Sequence, residues 1–94
     1  MHVRVVRFTD VTAERINDLL TRVDERGGPP TGVPIKALQI LVDEAQGTAV
    51  VLQFFDSAAD MQAGSEVFAA MDPAETPGTR VSVDMCELKR ELRV

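Results

Sequence analysis

The chain carries one cysteine, one histidine, no tryptophan and no tyrosine in its 94 residues. A lone Cys86 closes no internal disulfide and supplies no multi-thiolate metal centre. In a strand-like stretch, it reads as a small packing residue rather than a reactive thiol. The single histidine, His2, lies beside the first residue, where chains fray, and no second ligand stands at a suitable spacing. Neither a metal site nor a Ser-His-acid set is therefore expected. Long apolar runs are missing too: none approaches the roughly 20 residues of a membrane span. Positive charge is in the minority, with 10 Lys and Arg against 15 Asp and Glu and a net charge of −5. That balance argues against a nucleic-acid partner and against an anionic membrane surface. The glycines of "RGGPPTG" at 26–32 fall between a helix and a strand, the reverse of the order that cradles a phosphate.

What is present is an ordinary folded composition, 45% hydrophobic and 27% charged. The length predicts a single domain over 1–94. A domain of this size buries only about 60–68% of its unfolded surface, so a second copy would add stability. The N-terminus leads into a strand pattern rather than a signal peptide, and a cytoplasmic location is expected.

Residues 2–9, "HVRVVRFT", predict a strand rich in β-branched side chains. A helix follows at about 12–26, capped by Asp10 or Thr12, with Ile16, Leu19, Leu20 and Val23 as its apolar stripe. "GGPP" at 27–30 stops it. A second strand at 34–43 and a third at 48–55 flank "EAQG", a hairpin turn. Ser57 caps a second helix, with Asp60 three residues on. Met61, Gly64, Phe68 and Met71 form its inner stripe, and Gly64 suggests a close approach to the sheet. "DPAETPG" at 72–78 is a loop, 79–87 a fourth strand, and "LKRELRV" at 88–94 has no clear assignment. The β-α-β-β-α-β order predicts an α+β, ferredoxin-like sandwich: one four-stranded antiparallel sheet in the order 4-1-3-2, with two helices on one face.

Strand side chains alternate between faces. Giving the helices the most apolar alternation assigns them Val3 and Val5, Leu38, Ile40 and Val42, Val50, Leu52 and Phe54, and Val81, Val83 and Met85. The opposite face then holds Arg4, Val6 and Phe8; Ala37, Gln39 and Leu41; Ala49, Val51, Gln53 and Phe55; and Arg80, Ser82, Asp84 and Cys86. That face is too apolar for water, and the simplest cover is a second copy of the chain about a two-fold axis. A few polar groups would then stand on apolar walls between two sheets, as in a ligand pocket.

The runs "VVLQFFDSAADM", "EVFAAMDP" and "PGTRVSVDMCEL", in this element order, resemble the dimeric α+β-barrel superfamily, in its antibiotic-biosynthesis-monooxygenase-like and stress-responsive branches. The resemblance spans nearly the whole chain and implies a homodimer with a barrel-like cavity. Some such proteins oxidise aromatic polyketides without a cofactor and some degrade haem. The His, Asn and Trp of haem degradation have no counterpart on a cavity strand: the chain has no Trp, His2 is terminal, and Asn17 lies on the first helix.

The candidate ligand-lining residues are Arg4, Phe8, Gln39, Gln53, Phe55, Ser82 and Asp84. Gln39 and Gln53 either bond to one another's strands or orient a ligand carbonyl or hydroxyl. Arg4 and Asp84 either pair at the rim or form a charged lip, where Asp84 could act as a general base. Phe8 and Phe55 occupy the strands on which RNA-recognition domains place stacking aromatics, but the charge opposes that reading. The expected protein is a homodimer that binds a small apolar or aromatic molecule, without cofactor. The alternatives are a cofactor-independent monooxygenase-like or isomerase-like enzyme on an aromatic substrate, and a structural dimerisation module.

Overall fold

A computed structural model of the chain describes residues 1–27, 32–70 and 76–94. The elements are β1 (His2–Thr9), α1 (Ala13–Arg26), β2 (Ala37–Asp43), β3 (Thr48–Phe55), α2 (Ala58–Ala69) and β4 (Thr79–Glu87). All strand pairs are antiparallel, in the order β2-β3-β1-β4. This is the expected ferredoxin-like arrangement. Met71, the remainder of "GGPP" after Gly27, and the first part of the 72–78 loop lie outside the described residues.

Local chemistry sets the boundaries. Thr12 and Ser57 sit in extended backbone and accept from the amides of Arg15 and Asp60, satisfying donors that the first helical turn leaves open. Gly27 ends α1 in the left-handed region and donates its N–H to the Val23 carbonyl. The β2–β3 turn is closed by Asp43, whose carboxylate accepts from the backbone and side-chain amides of Gln46. Beyond β4 the tail has no regular structure, and Leu92 and Val94 are exposed.

The faces of β1 and β3 are opposite to those the apolar alternation predicts. Arg4 pairs with Gln53, Val6 with Val51 and Phe8 with Ala49, and these residues are buried beneath the helices with Phe55. Leu38, Ile40 and Val42 lie opposite Gln53, Val51 and Ala49, so β2 was phased correctly, as were Val83 and Met85 of β4. The open face therefore presents Val5, Val50, Leu52, Phe54 and Leu41, with Val3 on the same side but buried. Arg4 and Gln53 misled the phasing because each is polar alone, yet together they form a hydrogen-bonded pair that lowers the cost of burial. Leu20, counted on the apolar stripe of α1, is exposed. So is Cys86, which lies on the open face opposite Val3 rather than in packing.

β4 carries a bulge. Arg7 pairs with Ser82 but Phe8 pairs with Arg80, leaving Val81 as an extra residue. This places Arg80 on the helix side.

The core is split in two. Val6, Phe8, Ile16, Ala49 and Val51 pack at one end. Val33, Phe55 and Met61 pack at the other. α2 comes close to β1 and β3, and Gly64 is what allows it. A Cβ there would stand 2.6 and 2.7 Å from two ring atoms of the fully buried Phe55. Gly64→Ala is accordingly expected to destabilise the fold by about 1–2 kcal/mol, an overpacking loss partly offset by better helix propensity. A chemical denaturation curve shifted toward greater stability would reject that close approach.

Candidate functional site

Between the two halves of the core lies a cavity of about 320 Å³. Its floor is the helix-side face of the sheet, with Arg4, Val6, Phe8, Val51, Gln53 and Ile40. Leu19 and Val23 of α1 face it, Phe68 of α2 borders it, and Ile35 and Lys36 come from the segment before β2. The space exists because α2 is held tight to the sheet at Gly64, whereas α1 joins the buried core through Ile16 in its first turn. The volume falls in the range of about 300–1,000 Å³ that small-molecule sites occupy.

Arg4 is the polar centre of the wall. It is 3% exposed. Its Nη1 donates to Gln53 Oε1 at 2.9 Å, and its Nε donates to Ser65 Oγ at 3.2 Å. Its guanidinium carbon stands 5.6 Å from the centre of the Phe68 ring, within cation–π range. Burial, and then the positive charge of Arg80, hold the guanidinium below its ordinary pKa. No carboxylate among the described residues pairs with it.

The structure divides the predicted site residues. Arg4, Phe8 and Gln53 line the cavity. Phe55 is fully buried in the neighbouring cluster and is not on the cavity wall. Gln39, Ser82 and Asp84 lie on the other side of the sheet, opposite Leu52, Arg7 and Val5. Gln39 and Gln53 therefore do not meet, and neither do Arg4 and Asp84. Asp84 instead stands 3.8 Å from Arg7, with both side chains about half exposed, a pairing that contributes little stability. The cavity lies within one subunit, where the sequence reading placed it between two sheets. Phe8 and Phe55 are buried under the helices, so neither offers a ring for base stacking.

Sequence reasoning missed Phe68, Arg80, Leu19 and Val23 as wall residues. Leu19, Val23 and Phe68 were assigned to apolar stripes, and an apolar stripe looks the same whether it meets a side chain or a void. Arg80 reaches the wall only because of the bulge. Among the described residues, no cluster of His, Cys, Asp or Glu is arranged to hold a metal. No helix among them is long and apolar enough to cross a membrane.

No family model and no curated protein matches the chain. Solved structures do. A variant of MhuD, with two manganese protoporphyrin IX molecules bound per active site, superposes with a TM-score of 0.62 at 14% identity, over 100% of both chains. A protein of Deinococcus radiodurans, proposed to be an antibiotic biosynthesis monooxygenase, superposes with a TM-score of 0.56 at 12% identity, over 100% of this chain and 98% of the other. At such identities the likeness is one of fold. The chain is an α+β protein that shares its βαββαβ fold with these two structures.

Proposed function

We propose that this 94-residue chain is a single-domain, cytoplasmic protein that binds a small apolar or aromatic molecule in each subunit and pairs with a second copy through its open sheet face. The observation that carries the ligand reading is the cavity of about 320 Å³ dividing the core, with the Arg4–Gln53 pair on an otherwise largely apolar wall. The MhuD structure, whose active site holds a porphyrin, supports a ligand on the same fold.

N-Phenyl-1-naphthylamine, a neutral aromatic probe that fluoresces in apolar surroundings, tests this reading. Saturable binding with one probe per subunit is expected, and Val23→Trp, which fills the cavity from α1, is expected to abolish it. No saturable binding, or binding indifferent to Val23→Trp, would remove the cavity as a ligand site.

A second reading is a cofactor-independent oxygenase on an aromatic substrate, favoured by the fold of the Deinococcus protein. Arg4 and Gln53 are the side chains placed to hydrogen-bond an oxyanion there, whereas Gln39 and Asp84 face away. Oxygen uptake with a panel of quinols, lost in Gln53→Leu, would favour it over simple binding.

A further inference from the structure

Four cationic side chains line the cavity, namely Arg4, Arg26, Lys36 and Arg80, and no Asp or Glu of the described residues joins them. This runs against the composition, in which acidic residues outnumber basic ones 15 to 10. Lys36 has a counter-charge in Asp56 at 3.4 Å. Arg4 has only neutral partners among the described residues: Ser65, Gln53 and the Phe68 ring. A guanidinium offers five N–H donors in a rigid fork, and these contacts use two of them. A buried cation without a counter-ion is costly, and Arg80 adds repulsion to it. The wall around this charge is apolar, with Val6, Leu19, Val23, Ile40 and Phe68.

We propose that the cavity selects an amphipathic anion: a molecule with an apolar or aromatic body and one anionic oxygen group, a carboxylate or a phenolate, that accepts from the donors Arg4 does not spend on Ser65 and Gln53. This rests on the cavity being a ligand site, and it adds the charge the ligand must carry. The anion supplies the counter-charge that the described residues withhold from Arg4. The cations nearer the surface, Arg80 and Lys36, attract it inward and bias entry against cations.

Two probes of nearly the same aromatic shape separate charge from apolar fit. 1-Anilinonaphthalene-8-sulfonate carries an anionic group that N-phenyl-1-naphthylamine lacks. The anionic probe is expected to bind about tenfold tighter or more, the worth of a charge-assisted hydrogen bond. Arg4→Met is expected to erase that preference, bringing the two probes to within about threefold of one another. Should Arg4→Met fail to fold, the exposed Arg80→Gln serves instead: the anionic probe's advantage over the neutral one falls about threefold. Equal affinity for the two probes, or a preference untouched by the substitution that folds, overturns the proposal. Binding of the neutral probe alone overturns it while leaving the cavity reading intact. Binding of neither probe overturns both.

Discussion

Replacing Phe55 by alanine is expected to cost about 3–5 kcal/mol, the range for deleting a large buried aromatic side chain. Its ring is 0% exposed and is the largest fully buried side chain among the described residues. It joins β3 to α2 by packing with Val33 and Met61 and filling the hollow that Gly64 leaves. Domains of this kind are stable by only about 5–15 kcal/mol in all, so the variant should sit near the edge of folding. A melting temperature lowered by roughly 15–30 °C is the corresponding thermal result. The mechanism has a sharper test than the loss itself. In the Phe55→Ala background the clash at position 64 disappears, and Gly64→Ala should change sign, becoming stabilising by up to about 1 kcal/mol through helix propensity alone. Additive effects in that double-mutant cycle would mean that the ring and the glycine do not share one space.

The second large effect lies on the opposite face. Leu52→Asp places a carboxylate in the centre of the open face, between Val5 and Gln39. In a single subunit that position is only half-buried, so the secondary structure should survive. In a two-fold pair, each copy brings one unpaired carboxylate into the interface. At about 2 kcal/mol or more per copy, dissociation should increase roughly a thousandfold. Light scattering at micromolar concentration should report two chains for the parent protein and one for the variant. Cys86 provides an independent readout on the same face, since its thiol is exposed in one subunit and should react faster once the pair has separated. A parent protein that is already monomeric would end the pairing proposal, and so would a variant with unchanged mass.

Much of the fold can be read along the chain. The third and fourth strands, 48–55 and 79–87, match the expected bounds, and the Ser57 cap and the turn ending at Gly47 lie where local chemistry places them. These features depend on neighbours a few residues apart. The direction in which β1 and β3 face does not. Both alternations of β3 are largely apolar, and the deciding contact joins Arg4 to Gln53 across 49 residues of sequence. Judged one at a time, those side chains belong in water; judged as a pair, they belong inside. Swapping the two faces left one inference standing: whichever way the strands turn, the face without helices is rich in valine, leucine and phenylalanine. The cavity was illegible for a different reason. Its volume depends on how far α1 stands from the sheet, a distance that no spacing of Leu19 and Val23 encodes.

The bulge at Val81 has a consequence for how this protein could change. With β4 in continuous register, Arg80 would face Thr9 rather than Phe8, and its charge would stand on the outer surface of the sheet. Substitution at position 80 can remove or reverse that charge, whereas ironing out the bulge with Val81 retained would carry it to the other side of the sheet. One extra residue on an edge strand thus decides which surface of the sheet carries this cation, the helix side beside the cavity or the open face.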